Sequence, residues 1–167
     1  MLSYRHGTLE PRNETQTPSY ANGSGVWLAV SIPTSTRHMV SVPDYLGYGA
    51  SKALLHSYEH AASLTSASTG MLRATREFCQ QQRVSINGEN FLLGYFEGGY
   101  AIKALHKLLR KNTLSPYPLR PALGPTTNRT LPATSLGLRG RSILNSYMWM
   151  LRTYNHIYAP NRPFSFY

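Results

Sequence analysis

Apolar residues recur along this chain with two different periods. At steps of three and four residues they mark one face of a helix over residues 57–82 and again over residues 99–111. Short apolar or β-branched runs near residues 2–5, 39–42 and 90–94 are typical of strands. Because strands alternate with helices, the pattern predicts an α/β fold: three parallel strands with both helices packed on them through right-handed connections.

Other stretches lack this periodicity. Residues 9–25 are rich in Pro, Asn, Thr, Ser and Gly and are typical of a loop, and the apolar run that follows is short and broken by Pro33. Residues 113–140 carry several prolines and glycines, a composition typical of loops or disorder. The predicted division is a partial α/β core (1–112), an irregular Pro/Gly-rich linker (113–140) and a short helical aromatic tail (141–167).

The net charge of +10 is distributed unevenly, because all seven acidic residues lie at or before Glu97. The basic residues beyond it from position 110 onward are Arg110, Lys111, Arg120, Arg129, Arg139, Arg141, Arg152 and Arg162. Such asymmetry can mark a nucleic-acid contact, with Trp149 and nearby tyrosines as stacking groups. The arginines are scattered singly among prolines and no nucleic-acid motif accompanies them. We therefore expect only weak, non-specific nucleic-acid binding that salt abolishes. An oligonucleotide titration at two ionic strengths would measure it.

Composition also bears on location and redox chemistry. No stretch is long and apolar enough to cross a membrane. Residues 1–6 lack the apolar core of a signal peptide, which favours a cytoplasmic location by default. Cys79 is the single cysteine, so no intrachain disulfide can form and a cysteine-based metal site is not expected. No cofactor is expected.

Residues 94–99 read Gly-Tyr-Phe-Glu-Gly-Gly between a predicted strand and a predicted helix. This is the frame of a G-x-S-x-G nucleophile elbow, in which a tight turn holds one nucleophilic oxygen at a helix N-terminus. Phe96 stands at the position of the serine and has neither a lone pair nor an exchangeable proton. Covalent acyl transfer by this route is therefore closed.

Three segments of the chain together resemble a known family. They are residues 42–51 (V-P-D-Y-L-G-Y-G-A-S), the positions His56, Tyr58 and His60, and the turn at 94–99. Together they resemble the α/β-hydrolases, above all the secreted lipase- and esterase-like enzymes, whose elbow reads G-Y-S-Q-G-G. Tyr4–Thr8 is similar to the family's oxyanion-hole strand end. The resemblance implies a partial α/β-hydrolase-type parallel sheet with flanking helices, truncated relative to the family, and ester or acyl hydrolase ancestry.

The departures from the family are as specific as the resemblance. Family members place their acid and histidine downstream of the nucleophile. Beyond Phe96 the only carboxylate side chain is Glu97, and the histidines are His106, on the same predicted helix, and His156. The whole triad is thus missing from this chain, and we expect a catalytically inactive protein. Phe96 has two interpretations. It is either a selected change that turns an enzyme into a binding protein or a sign of decay in the gene product. The irregular composition of residues 113–140 favours decay.

A remnant of an anion-binding pocket is a second hypothesis. The oxyanion-hole-like candidates are Gly7, Thr8, Glu97 and Gly98. The alternative, which we favour, is that the glycines at 94, 98 and 99 only permit a crowded turn. The Glu97 carboxylate at the helix start would itself compete with a bound anion. As a replacement nucleophile or base, Glu97 shows no acid/base partner in the sequence, so this role stays a remote option.

The upstream histidines suggest a metal site. His56 and His60 are four residues apart and would share a helix face, with His6 as a third ligand. No carboxylate other than Glu59 is local, and the family resemblance accounts for the histidines, so no metal is expected. Asp44 is interpreted as ordering the glycine-rich loop that follows it rather than as a triad acid.

Three partner classes remain open beside an inactive hydrolase. The first is a small ester or acyl ligand held by a non-catalytic binding module around Thr8, Phe96 and Glu97. The second is the weak, non-specific nucleic-acid binding described above. The third is self-association, because a partial sheet leaves an unpaired edge.

Overall fold

The protein is built on a parallel sheet with helices packed against it. The computed structural model describes residues 1–8, 24–111, 119–121 and 140–158. In chain order the elements are β1 (Leu2–Arg5), α1 (Ser24–Ser35), β2 (Val40–Ser41), a 3₁₀ turn (Gly49–Ser51), α2 (Ala61–Gln81), β3 (Asn90–Gly94), α3 (Glu97–Lys111), β4 (Leu119–Pro121) and α4 (Gly140–Tyr158).

The strands are parallel and lie in the order β2-β1-β3-β4. Ser3 of β1 is level with Ser41 of β2 on one side and with Leu92 of β3 on the other. Side chains at matched positions of parallel strands share a face, so these three point to the same side of the sheet. The three strands and two helices expected from periodicity are confirmed, and with them the partial α/β fold.

Two apolar clusters hold α2 and α3 on the sheet. The first joins both helices to β1 and β3 and consists of Met1, Leu72, Leu92, Ile102 and Leu105. The second packs the loop after β2 between the two helices and consists of Tyr45, Tyr48, Leu64 and Ala101. Burial of each large aliphatic side chain contributes roughly 1.5–3 kcal/mol, so these clusters are the main apolar support of the fold.

Helix α2 begins at Ala61, a few residues after the start that periodicity predicts. His60 is its N-cap: the backbone there is extended, and the Nδ1 atom accepts a hydrogen bond from the backbone N–H of Ser63 at 3.4 Å. An N-cap acceptor satisfies one of the donors that the first helical turn leaves unpaired. Residues 57–60 therefore form the approach to the helix rather than its first turn.

Two elements were not predicted. Residues 24–35 form α1, although the sequence suggested a loop up to residue 25 and an apolar run broken by Pro33. Pro33 lies near the C-terminal end of α1, so the hydrogen bond that it removes is close to where the helix stops. Its carbonyl accepts from the N–H groups of Thr36 and His38 at 3.2 and 2.9 Å. Within the segment predicted to be irregular, residues 119–121 form β4, which pairs with β3. Three residues are too few to show a period of two.

The remainder of 113–139 and the residues after 158 lie outside the described part. Gly140–Tyr158 forms α4, which covers most of the segment predicted as a short helical aromatic tail (141–167). The division into core, linker and tail stays a prediction. Among the described helices, none combines the length and apolarity that a membrane span requires.

The end of β1 packs directly on the first turn of α3 at Gly98. A Cβ atom at position 98 would collide with the carbonyl oxygen of Arg5 and would lie 2.7 Å from that of His6. Both neighbours are backbone atoms, which cannot swing away. A hydrogen at this position is therefore a requirement of the contact between strand and helix.

We expect Gly98→Ala to lower the free energy of unfolding by about 3 kcal/mol or more, the upper end of the range for overpacking. Gly70 is the matched control, because it lies in the middle of α2 and a methyl group added there would meet no atom within 4 Å. Gly70→Ala should raise stability by about 0.5–1 kcal/mol. Urea unfolding followed by circular dichroism measures both, and similar midpoints for the two variants would contradict this packing.

Candidate functional site

The turn between β3 and α3 forces one bulky residue into an unusual backbone conformation. β3 ends at Gly94, α3 begins at Glu97, and Phe96 between them has φ of 50°. This left-handed region is disfavoured for a residue with a side chain, at a cost of about 1–3 kcal/mol. The Phe96 side chain is 41% exposed and its ring lies 4.1 Å from that of Tyr95.

Glycines make this turn sterically feasible. A Cβ on Gly94 would collide with the carbonyl of Gly98 and lie 3.1 Å from the nitrogen of Gly99. Gly7, in the segment after β1, lies against the other side, because its Cβ would be 3.2 Å from the Tyr95 carbonyl oxygen. The structure thus brings Gly7 and the three turn glycines together around residues 95 and 96.

Thr8 is oriented by a different partner. Its hydroxyl shares a hydrogen bond of 3.1 Å with the hydroxyl of Tyr58. Thr8 therefore lies beside the turn with its side-chain oxygen already paired to a residue of the loop before α2.

Glu97, the first residue of α3, is fully buried. Its Oε1 atom lies 2.8 Å from Nε2 of His56, whose side chain is 2% exposed. Oε2 is buried without a hydrogen-bond partner among the described residues. The sequence-based interpretation that Glu97 has no acid/base partner is therefore wrong: the partner is His56, 41 residues earlier in the chain.

Both ring nitrogens of His56 face oxygen atoms. Nδ1 lies 2.8 Å from the carbonyl oxygen of Leu46, which can only accept, so Nδ1 carries a proton and donates it. One further proton then lies between Nε2 and the Glu97 carboxyl group, whichever atom holds it. This arrangement leaves His56 with no free lone pair for a substrate hydroxyl or a water molecule.

Aromatic side chains enclose this pair. The rings of Tyr48 and Tyr58 lie 4.5 and 6.2 Å from that of His56, and the ring of Trp149 in α4 lies 6.0 Å away. Thr153 of α4 donates its hydroxyl to the His56 carbonyl and accepts from the Tyr58 N–H, each at 3.1 Å. Helix α4 is thus fastened to the loop that carries His56.

His6 lies beside the pair and is almost completely buried. Its Nδ1 donates to the Gly7 carbonyl at 2.7 Å, and its ring lies 4.2 Å from that of Tyr45. Burial lowers the pKa of His6, against the opposite effect of the Gly7 hydrogen bond and the Glu97 charge. The imidazole is therefore neutral at pH 7. Burial also raises the pKa of Tyr45, whose hydroxyl donates to the His6 carbonyl at 3.1 Å.

The three histidines considered as metal ligands, His6, His56 and His60, do not converge on a metal site. His56 precedes α2 and His60 caps it, so the two do not share a helix face as their spacing suggested. Nε2 of His60 lies 3.1 Å from the hydroxyl of Tyr158, whereas His56 is paired with Glu97. In the described ranges no group of three or more histidine, cysteine or acidic side chains is placed to hold a metal ion.

The loop after β2 is ordered by contacts of Ser51. Its hydroxyl accepts from the N–H of Gly47 at 3.0 Å and donates to the carbonyl of Tyr48 at 2.8 Å. Gly47 and Gly49 have positive φ of 91° and 53° in this loop. Asp44 lies half-buried where the loop begins, and its ordering role stays a prediction.

Two solved structures resemble this chain over most of its length. A protein of Legionella pneumophila assigned as a hydrolase superposes with a TM-score of 0.79 and 26% sequence identity, over 97% of this chain and 43% of the other. The rice cell wall degrading esterase LipA of Xanthomonas oryzae gives 0.64 and 28%, over 71% of this chain and 31% of LipA. No protein-family model matches, and no curated protein matches significantly.

This chain has an esterase-like hydrolase fold. It spans less than half the length of the two structures that it resembles. The expected resemblance to esterase-like hydrolases, and the partial extent of the fold, are thereby confirmed.

The two histidines downstream of Phe96 both lie on helices of this esterase-like fold. His106 is on α3, on the helix that begins at the turn, and His156 is exposed near the end of α4. The pairing of His56 with Glu97 was not predicted from the sequence. No local pattern carries it, because the two residues belong to different elements.

We expect removal of one partner of the His56–Glu97 pair to destabilise the fold strongly. Glu97→Leu leaves the Nε2 atom of His56 buried and unpaired, which should cost about 3–5 kcal/mol. Glu97→Gln should cost less, because an amide N–H can donate to Nε2 of a neutral His56. Glu77→Gln, at an exposed position of α2, is the control and should stay within about 0.5 kcal/mol of the parent.

Chemical unfolding at neutral pH measures these differences. A double variant, His56→Leu with Glu97→Leu, should lose less stability than the two single changes added together. The reason is that it leaves neither polar side chain buried without its partner. Additive losses, or a Glu97→Leu protein as stable as the parent, would refute the pairing.

Proposed function

We propose that this chain is a catalytically inactive member of the esterase-like hydrolases, a pseudoenzyme in which the β3–α3 turn is a former nucleophile elbow. The observation that carries the proposal is the side chain at the apex of the turn. Phe96 has the left-handed conformation and the exposed side chain that an elbow nucleophile requires, and its benzyl group offers no atom that can attack an ester.

Neighbouring groups do not replace the missing serine in this proposal. The hydroxyl of Thr8 is paired with Tyr58, and the Glu97 carboxyl group is fully buried against His56. A general base must have a lone pair within hydrogen-bond reach of the proton that it takes. His56 has none to offer, because both of its nitrogens face other groups of the protein.

The turn retains two features that would stabilise an oxyanion. The N–H of Glu97 lies at the positive end of the α3 dipole, whereas that of Gly98 donates to the Tyr95 carbonyl at 2.9 Å. Gly7 lies against the other side of the turn. Stabilisation of an oxyanion without a nucleophile produces no acyl-enzyme. We therefore interpret the oxyanion-hole-like residues as a sign of hydrolase ancestry and not of ester turnover. They are Gly7, Thr8, Glu97 and Gly98.

A fluorophosphonate probe and p-nitrophenyl butyrate test the proposal together. The parent should show no labelling and no hydrolysis above the buffer rate. Phe96→Ser should also stay inactive, because both nitrogens of His56 are bonded within the protein and the unpaired Nε2 of His6 is buried. Tyr95→Ser, which places a hydroxyl one residue away on the same turn, is the matched control, and a known serine esterase verifies both assays.

Labelling of one specific residue in the parent would overturn the inactive assignment. Hydrolysis by Phe96→Ser that disappears when His6, His56, His106 or His156 is also changed to alanine would show that a working base exists. The first result would make the chain an active enzyme. The second would show that one substitution restores its activity.

As a second candidate, we propose that the same surface binds a small neutral ester or acyl group without reaction. Two exposed aromatic rings support it: Tyr95 is 50% exposed and in contact with the half-exposed Phe96. Aromatic side chains bury large apolar areas for each contact that they make. The helix N-terminus beside them suits the oxygen of an ester carbonyl.

An NMR titration with methyl butyrate tests this candidate. Saturable shifts should appear in the amide signals of residues 7, 8 and 95–98, and Phe96→Ala should weaken binding several-fold. Phe78→Ala removes another exposed phenylalanine, 54% exposed on α2, and should leave the affinity unchanged. Shifts that do not saturate, or equal effects of the two substitutions, would exclude a specific site.

The two remaining partner classes rank below these. Trp149 and Tyr158, considered as stacking groups for bases, contact His56 and His60 of the chain itself. Self-association through β2 or β4 stays a prediction from their positions at the two ends of the sheet order.

A further inference from the structure

Arg5, the last residue of β1, is an arginine whose side chain is completely buried. One terminal nitrogen, Nη1, donates to the carbonyl of Tyr4 at 3.1 Å, and the other, Nη2, donates to the carbonyl of Ser68 in α2 at 3.3 Å. The Nε–H group is buried and has no acceptor among the described residues. The guanidinium group is therefore only partly satisfied.

Two hydroxyl groups near it share this property. Ser3 lies two residues before Arg5 and so on the same face of β1, and Ser68 is the residue whose carbonyl receives Nη2. Both Oγ atoms are buried and have no hydrogen-bond partner in the described part of the chain. We call Ser3, Arg5 and Ser68 the Arg5 cluster. Each of its three unpaired atoms can donate a hydrogen bond.

The cluster also has an uncompensated charge. Burial lowers the pKa of Arg5 to about 10, which still leaves the group protonated at pH 7. Among the described side chains the ion pair within 4.0 Å is that of His56 with Glu97, so no described carboxylate neutralises Arg5. A buried cation without a counter-charge is strongly unfavourable.

We infer that the Arg5 cluster binds a small monovalent anion, chloride under ordinary conditions, between β1 and α2. The cluster presents three donors and a positive charge, which match an acceptor that is negative and nearly spherical. A water molecule accepts only two hydrogen bonds and brings no charge. The three residues are each fully buried, so a bound ion would be shielded from solvent.

The proposed site is connected to the turn through the backbone of Arg5. Its carbonyl group packs against Gly98 in the first turn of α3, and Gly7 and Thr8 follow closely in the chain. An anion bound at Arg5 holds the end of β1 against α2 and so supports the contact on which the turn rests. Chloride should therefore stabilise the folded chain, because a ligand that binds only the folded state raises its stability.

Thermal unfolding in sodium chloride and in sodium gluconate at equal ionic strength tests the inference. Gluconate is too large for the site, so the melting temperature should rise by a few degrees in chloride and saturate as chloride increases. Chloride-35 NMR lines should broaden in the presence of the protein. Arg5→Met should remove both effects.

Further variants protect against a failure of Arg5→Met to fold. Ser3→Ala and Ser68→Ala keep the charge and remove one donor each, and each should reduce the chloride dependence several-fold. Arg76→Met is the matched control, because Arg76 is an arginine of α2 that is bonded to Asn90 at 2.7 Å. This variant should keep the full dependence of its melting temperature on chloride.

Equal melting temperatures in the two salts would overturn the inference. So would a chloride effect that persists in Arg5→Met, because the ion would then lie elsewhere. Glu10 and Glu14 are the two acidic residues outside the described ranges. A loss of stability in Glu10→Gln or Glu14→Gln together with no chloride effect would show that a carboxylate of the chain is the counter-charge.

Discussion

The hydrogen bond between His56 and Glu97 is the constraint on which the arrangement of the site depends. It joins the first residue of α3 to the loop before α2, and the same imidazole holds the Leu46 carbonyl through its other nitrogen. Thr153 then fastens α4 to the backbone of His56. A charged or proton-sharing pair with almost no solvent exposure tolerates little displacement, because either partner alone would be buried and unsatisfied.

This use of an imidazole differs from its use in catalysis. A catalytic histidine keeps one nitrogen free to exchange a proton with the nucleophile. In this chain the histidine paired with the first residue of α3 gives both nitrogens to the protein, and the buried His6 is neutral with Nδ1 bonded to Gly7. The hydrogen bonds of His56 therefore stabilise the fold and leave neither of its nitrogens for a reaction.

Periodicity predicted the parts of the fold that local sequence determines. Three elements lie within a residue or two of their expected positions: β1, β3 and α3. Their ends are marked in the sequence by the apolar pattern or by glycines. β4 escaped notice, since its pairing with β3 depends on the neighbouring strand and not on its own three residues. The His56–Glu97 pair escaped notice for the same reason: a contact across 41 residues exists only once the sheet has brought the elements together.

The position of Phe96 explains how chemistry and folding can be separated in such a fold. A side chain at Gly94 or Gly98 would collide with backbone, and a change at Glu97 would leave His56 unpaired, so these neighbours are tied to stability. The side chain at 96 is 41% exposed, and any residue with a side chain bears the strain of a positive φ there. Replacement at this one position removes the nucleophile at almost no cost to packing. In the proposed pseudoenzyme the turn can therefore persist intact, although its apex residue cannot act as a nucleophile.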